Sequence, residues 1–544
     1  MARTLILTLL ALTLASCAAE PVPPKDNTPS HPTNALWMVL VYLDGDNNLE
    51  ADALKDFNEI EAASALTNTN IIVLVLFDRV YGYSIADGDW TGTRLYQAVY
   101  QNDTPDNTIV SLRLSGMGLS AAGDSDELNM GDPGTLARFV DWANANYNTQ
   151  YTFLVLWNHG DGWEWNTNLN TLGVAYDDTS GDDFIGNNQF APALAGKGID
   201  VIGFDACLMG MLETAYDLKD AADYMVASAD LEPNGGWKYD DWLDRFDQNP
   251  TPSNLCYSLV MSYSNTWKDL QYTTLAAYDL RQVTNVFAKF EAYVSDLIAA
   301  TNLWINPTHT NIPTAMITTL TGTVEQYYYQ AYGGYIHLDL YDLAQNYPLP
   351  SSTDLMSAID SMVMAHYQNP LGDIFAGNPR SHGIALYLGT FYQIRSPYGK
   401  LHLYDDLDYT YGGVGNFLSG SLWDDYLRAL YVFPHFMWIG AGTTNKSLAL
   451  HTYDYYQILV TNTGTLSLTL DVPPSCDDSL FLYHGDIFSA NRVGSSEAIG
   501  YGVDETIIID ATNTGWYMIE VLRYAGTNVS EEYQLNISGS AGIY

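Results

Sequence analysis

Positive charge is scarce in this chain: 21 Lys and Arg stand against 64 Asp and Glu in 544 residues, a net charge of −43. A surface of that sign repels phosphate backbones, which argues against nucleic acid as a partner and favours cationic substrates, Ca²⁺ or a saline exterior. Solvation of the surface alone accounts for such an excess equally well. Cysteine is also scarce, at four residues, Cys17, Cys207, Cys256 and Cys476. No two form a Cys-x-x-Cys pair, so a structural zinc site is not expected. Cys256 and Cys476 are the two left for a disulfide, and they fall in different predicted domains. Long apolar runs are missing as well, because Leu5 to Leu14 is too short to span a bilayer and no later segment resembles a transmembrane helix.

What is present is a globular composition. Hydrophobic residues make up 47% of the chain, which excludes a disordered protein, and the length calls for two or three domains. The 41 tyrosines and 13 tryptophans suit a rigid exported protein. Met1-Ala2-Arg3, the apolar run and Leu14-Ala15-Ser16-Cys17 form an export leader. The last four residues resemble the bacterial lipobox, which implies a lipid on Cys17 and a membrane anchor. A plain signal peptide cut near Ala18-Ala19 would change the anchorage and not the export. Residues 18–34 are rich in proline and poor in apolar residues, and read as a flexible tether.

An α/β domain is expected over 35–440. Ala35 to Leu43 is a β-prone run that breaks at Asp44-Gly45-Asp46-Asn47-Asn48 into a helix carrying Leu49, Ala53, Leu54, Phe57 and Ile60. That acidic run has its glycine at the second position and no closing glutamate, so it reads as a helix cap rather than a calcium loop. Ile71 to Phe77 predicts a second parallel strand, Thr93 to Tyr100 and Val110 to Leu114 antiparallel pieces, and Gly134 to Tyr147 a helix opened by Asp132-Pro133. Strands that are almost wholly apolar, alternating with helices, imply a mainly parallel sheet covered by helices on both faces.

Two strands of this sheet end in reactive side chains. Tyr151 to Trp157 stops at Asn158-His159-Gly160, and the apolar run from Ile199 stops at Asp205-Ala206-Cys207, with a helix expected from Leu208. Ligands bind such sheets at the carboxyl ends of their strands, where His159 and Cys207 should converge. A lone buried cysteine packs as a small hydrophobe, whereas Cys and His at equivalent ends of successive strands point to a nucleophile and its base. The amino terminus of the next helix is expected to favour the thiolate.

These pairings resemble the caspase-like clan of cysteine peptidases, and finer motifs resemble its clostripain family. The motifs are Tyr42-Leu43-Asp44-Gly45-Asp46-Asn47-Asn48-Leu49, Trp157-Asn158-His159-Gly160-Asp161-Gly162-Trp163, Phe204-Asp205-Ala206-Cys207-Leu208-Met209 and Glu232-Pro233-Asn234-Gly235-Gly236-Trp237, with further strands at Tyr335 to Asp342 and His382 to Leu388. The likeness spans Asn34 to Phe433. It implies an endopeptidase working through a Cys207–His159 dyad and a thioester, with the backbone amides of Gly160 and Cys207 as oxyanion donors. It also implies peptide substrates with Arg or Lys before the cut. Asp205 stands two residues before the nucleophile, where the family places the acid that binds such side chains; its alternative role is to cap the following helix. Asp230 and Glu232 are further candidate pocket acids. No cofactor is needed for the chemistry, but the family leads one to look for Ca²⁺, and Asp177, Asp178, Asp182 and Asp183 are the candidate ligands; a solvated loop is the alternative. Lys197 is the one basic residue between His159 and Cys207, so internal processing there is not expected.

Residues 441–544 change to short alternating runs separated by Gly, Asn and Asp, which predicts an all-β sandwich similar to secreted-peptidase C-terminal domains. A rival function is a surface lipoprotein for adhesion or glycan binding built on an inactive peptidase scaffold. It has no need to retain His159 and Cys207 together.

Overall fold

The computed structural model describes residues 33–101, 106–122, 126–162, 173–246, 251–270, 273–301, 323–327, 337–369, 380–388, 417, 420–423, 426–427, 436–438, 441–447, 453–484, 492–498, 500–526 and 531–543. The leader with Cys17, the tether up to residue 32, and Trp163 lie outside the described residues. Among the described residues no helix is long and apolar enough to cross a membrane.

The first half of the chain runs β1 (Asn34–Gly45), α1 (Glu50–Ala62), β2 (Ile71–Arg79), β3 (Arg94–Gln97), β4 (Leu112–Leu114), α2 (Pro133–Asn146), β5 (Asn148–Trp157), β6 (Gly173–Asp177), β7 (Asp183–Gly186), α3 (Asn187–Leu194), β8 (Ile199–Asp205), α4 (Leu212–Asp217) and β9 (Ala222–Ala227). There follow α5 (Tyr239–Leu243), α6 (Pro252–Trp267), β10 (Thr274–Asp279), α7 (Val283–Thr301), β11 (Gln326–Tyr327), β12 (His337–Asp339), β13 (Val363–Gln368) and β14 (Ala385–Tyr387). Nine strands form one sheet in the order β13-β10-β9-β8-β5-β1-β2-β3-β4. Its centre is parallel, β2-β1-β5-β8-β9, and both margins are antiparallel.

Period-two alternation decides which helices cover which face. Met38, Leu40 and Tyr42 of β1, with Leu154, Leu156, Ile202 and Phe204, pack against Phe139 of α2, Phe190 of α3 and Phe290 of α7. Trp37, Val39, Val41 and Leu43, with Phe153, Val155 and Val201, pack against Leu54 and Phe57 of α1 and Leu255 and Leu259 of α6. Each large aliphatic side chain buried this way contributes about 1.5–3 kcal/mol, which is why a sheet apolar on both faces has to be covered twice.

Two helix starts differ from expectation. Asp132 caps α2 as predicted, accepting from the Gly134 N–H at 2.8 Å. The start of α1 is different: Leu49 precedes it and makes no capping bond, while the acidic run before it is turned toward neighbouring loops. The helix expected from Leu208 begins only at Leu212, because Leu208 takes φ +64° and the Gly210 N–H is drawn 2.7 Å onto the Ser228 carbonyl. A left-handed residue cannot continue a right-handed helix.

The carboxyl-terminal residues fold as two sheets. One contains Gly442–Ser447, Glu532–Gly539, Gly464–Asp471 and Glu505–Ala511; the other centres on Tyr453–Asn462, Gly515–Gly526 and Cys476–His484. Leu466, Leu468, Leu470, Ile458, Ile519, Val521 and Leu535 fill the space between them, giving the expected sandwich. Cys256 lies in the α6 core and Cys476 in the sandwich core; both are buried, and they are not joined by a disulfide.

Candidate active site

β5 and β8 lie side by side with Trp157 opposite Asp205. Two residues beyond that pair stand His159 and Cys207, so parallel register delivers both to one edge of the sheet. They line a single cleft with Asn158, Asp205, Glu232 and Asn234, about 360 Å³ including its open mouth.

The loop carrying Cys207 is a strained turn. Leu208 occupies the left-handed region at φ +64°, which costs a non-glycine residue roughly 1–2 kcal/mol. The turn is held there by two bonds to the loop after β9, from the Leu208 N–H to the Asp230 carbonyl at 3.1 Å and from the Gly210 N–H to the Ser228 carbonyl. Asp230 therefore supports the turn that carries Cys207; its carboxylate accepts from the Leu231 N–H at 2.8 Å, and it is not among the residues lining the cleft. Gly160 is fixed by the same turn. A β-carbon at that position would lie 2.3 Å from the Cys207 carbonyl oxygen, so direct contact between the two loops demands glycine.

The Cys207 sulfur accepts from the Glu232 N–H at 3.1 Å. Burial pushes its thiol up to about 12, only partly offset by that bond, with the charges of Glu232, Asp161 and Asp230 adding to the rise. No helix amino terminus stands directly behind it, because α4 starts at Leu212; the expected helix-stabilised thiolate is not what the fold provides. Burial also lowers the His159 pKa. At neutral pH the resting pair is thus a thiol and an uncharged imidazole.

A third group orients the histidine. His159 Nε2 lies 2.8 Å from Asn48 Oδ1, and an amide oxygen can only accept. With Asn48 Oδ1 as the acceptor, Nε2 carries the ring hydrogen and the Nδ1 lone pair is left to accept a proton. Asn48 belongs to the acidic run read from sequence as a cap, and the whole run works as a junction instead. The Asn47 amide donates to the Tyr176 carbonyl at 3.0 Å, and the Asn158 amide donates to Asp44 Oδ2 at 2.7 Å. Asn158 in turn accepts from the His159 N–H.

Asp205 is 4% exposed at the floor of the cleft. Its carboxylate accepts from the Trp237 N–H at 3.2 Å and the Tyr239 hydroxyl at 2.9 Å, which removes the helix-cap alternative. A β-carbon on Gly236, at φ +41°, would stand 2.5 Å from Asp205 Oδ1, so the Gly-Gly pair lets this loop close over the acid. Burial pushes Asp205 up to about 6, against the lowering effect of Tyr239 and Trp237. Glu232 is raised well above the usual carboxylate range, by burial first and by Asp205 second.

Among the described residues, Asp177 is the one member of the acidic loop that joins a carboxylate cluster, and its partners Asp46 and Glu127 come from elsewhere in the chain. Asp178, Asp182 and Asp183 stand outside that group; Asp183 accepts from the Asn129 amide at 2.7 Å.

A strand-end Cys and His in one cleft, on a doubly covered parallel sheet, define the class, and comparison with known proteins gives the family. The clostripain family model matches residues 41–408, and the chain belongs to that family. Clostripain of Hathewaya histolytica is 32% identical over 233 residues, which is 38% of this chain and 41% of that protein, so the chain spans less than half the length of this relative. An inactive zymogen C11 protease from Parabacteroides distasonis superimposes with a TM-score of 0.47 at 17% identity, covering 65% of this chain and 92% of that one. A secreted C11 cysteine protease from Bacteroides thetaiotaomicron, solved with an irreversible peptide inhibitor, gives 0.47 at 18% identity with the same coverage.

Proposed function

We propose that this protein is an exported cysteine endopeptidase that cleaves after basic residues, Arg before Lys. The observation that carries the reading is the cleft itself, in which Cys207 and His159 face one space floored by Asp205. With a peptide bound, the Cys207 proton passes to His159 Nδ1 and the sulfur adds to the scissile carbonyl. The oxyanion that forms is placed near the Gly160 and Cys207 N–H groups. The C–N bond then breaks as His159 returns the proton to the departing amine, leaving a thioester. Water, deprotonated by His159, adds to the thioester, and the thiol leaves and regains its proton.

The carboxylate of Asp205 is held in place by Trp237 and Tyr239 and retains lone pairs for a guanidinium fork, with Glu232 as the second acid. Export rests on the leader and the lipobox-like Leu14-Ala15-Ser16-Cys17, with a lipid on Cys17 and residues 18–34 as the tether to the membrane. The chain works uncut between His159 and Cys207: Lys197 sits in the short turn between α3 and β8, its amine 2.5 Å from Asp141. Calcium, when bound, would supply positive charge next to the His159 loop, where Asp46, Glu127 and Asp177 would hold it.

An arginine-directed, thiol-reactive peptide inhibitor should label Cys207 stoichiometrically in the folded protein, with the modified residue read by mass spectrometry. No labelling, or equal labelling by an asparagine-directed analogue, contradicts the proposal. Asn48 acts as a positioning residue. Asn48→Ala should lower kcat on the order of tenfold to a hundredfold with little change in KM, and should alter the acidic limb of the kcat profile, because the tautomer is no longer enforced. Asn48→Asp should restore part of the rate, since it keeps an acceptor oxygen. An unaltered pH profile in Asn48→Ala would remove it from this role.

A further inference from the structure

We propose that the β2–β3 loop, through Tyr81, Tyr83 and Ile85, binds apolar side chains of a polypeptide substrate on the leaving-group side of the cut. Ile85 and Tyr81 are 83% and 79% exposed, the two most exposed large hydrophobic side chains among the described residues, and Tyr83 between them is 52% exposed. Single apolar residues are ordinary on a surface, but three within five residues make a patch.

The loop is built to hold them there. Glu50 and Arg79 form an ion pair with both side chains fully buried, Nε and Oε1 being 2.7 Å apart. Together they grip Ser84, which lies between Tyr83 and Ile85. The Ser84 N–H donates to Glu50 Oε2 at 2.6 Å, and its carbonyl accepts from Arg79 Nη2 at 3.3 Å. The far half of the loop is pinned as well. Asp87 accepts from the Trp90 indole N–H at 2.8 Å and from the Ile109 N–H at 3.0 Å, and it sits at φ +55°, a left-handed conformation that is costly for a residue with a side chain. The Gly92 N–H closes the base of the loop on the Arg79 carbonyl at 2.8 Å. An ion pair taken out of water adds little net stability, so what the grip on Ser84 achieves is geometry, with exposed apolar side chains ordered in advance of a partner.

Parallel register puts this loop on the edge that carries the cleft. Phe77 of β2, Leu43 of β1, Trp157 of β5 and Asp205 of β8 are aligned in one row, so two residues further on Arg79, Gly45, His159 and Cys207 stand level at the strand ends. Neighbouring strands lie about 4.8 Å apart, which sets the start of the loop about 10 Å from His159 and about 14 Å from Cys207. The chain makes the same connection, because Leu49 lines the cleft and the next residue is the Glu50 that holds Ser84.

The direction across the cleft rests on the peptidase reading above. His159 gives its proton to the departing amine, so the released chain lies on the His159 side of the sulfur, where β1 and β2 follow. Asp205 and Glu232 take the residue before the cut, on the other side. At about 3.3 Å per residue, an extended substrate reaches the loop three to five residues past the cut. Continuity with the cleft favours the substrate as the occupant, and a net charge of −43 disfavours an anionic bilayer.

Arginyl peptides carrying leucine and phenylalanine at the third to fifth positions after the cut, or serine in their place, test this on the full-length protein. Wild type should cleave the apolar peptide with a kcat/KM at least about tenfold higher, mainly through KM. The triple variant Tyr81→Ser, Tyr83→Ser, Ile85→Ser should lose that advantage, yet hydrolyse an arginyl coumarin amide, which has no residues after the cut, at the wild-type rate. Binding of the same peptides to Cys207→Ala, read by fluorescence anisotropy, should show the same preference and lose it when the three substitutions are added. No preference in wild type, or a preference that survives the triple variant, overturns the proposal, and so does one that follows apolar residues placed before the cut. A wild-type dimer that the triple variant dissociates, or binding to phosphatidylcholine vesicles that it abolishes, would assign the loop to a second copy or to a bilayer instead. Preferential binding without hydrolysis of any arginyl peptide removes the peptidase reading alone, and hydrolysis without preference removes the loop proposal alone.

Discussion

Cys207→Ala should fold as wild type and lose peptide cleavage by on the order of 10⁴-fold or more in kcat/KM, and His159→Ala should lose a comparable amount. The sulfur makes all the bonds of the first step, and among the described residues the other two thiols, Cys256 and Cys476, are buried in separate cores. Folding should survive because the polar anchor of the Cys207 side chain is the Glu232 backbone, and the turn is held by the main-chain atoms of Leu208 and Gly210. Since base and nucleophile act as one unit, the double variant should be hardly worse than either single one. The resting pair is neutral, so the rate should depend on His159 being unprotonated, and activity should fall as acid charges the imidazole. Release of a fluorophore from an arginyl peptide, beside circular dichroism of each variant, measures this. Activity within tenfold of wild type in either single variant would show that the nucleophile or base lies elsewhere.

What could be read from the sequence, and what could not, follows from the range over which each signal acts. Apolar runs with abrupt ends are local, and they place β1, β2, β5 and β8 and put His159 and Cys207 at strand termini. Parallel pairing then does the rest, because equal overhang past Trp157 and Asp205 brings the two side chains to one cleft. The delay of α4 was hidden because Leu208, Met209, Met211 and Leu212 keep a helix-like apolar spacing; Gly210 was the one local warning. Asn48 was hidden for another reason. Its contact with His159 joins residues 111 apart, and it arises because β1 lies beside β5 with Leu43 opposite Trp157. An Asp-Gly-Asp-Asn-Asn run before a helix has the composition of a cap, and only the neighbouring strand shows that its side chains turn sideways to Asn158, His159 and Thr179. The carboxylate cluster is less legible still, since it draws on three loops separated by the folding of β2 to β6.

Asp205→Asn should convert an arginine-selective cleft into an indifferent one. Asparagine keeps the shape, and its oxygen can still accept from Trp237 N–H or the Tyr239 hydroxyl, so the loop over the acid should stay in place. What disappears is the charge that faces the guanidinium. Leaving a desolvated cation without its partner costs about 2–4 kcal/mol, which corresponds to roughly 30- to 1,000-fold in kcat/KM for arginyl substrates. Substrates with a neutral side chain before the cut should change by only a few-fold. The pH dependence provides an independent check. Burial holds Asp205 near 6 in the free protein, and a bound cation favours its ionised form. Arginyl substrates should therefore bind best above about pH 6 and show a rising KM as acid protonates the carboxyl, and Asp205→Asn should flatten that limb. If Asp205 only braces the Trp237–Tyr239 loop, the loss will fall equally on every substrate and come with a lower Tm. Arginine preference surviving in a stable Asp205→Asn protein would assign selectivity to Glu232, whose Glu232→Gln variant would then carry the effect.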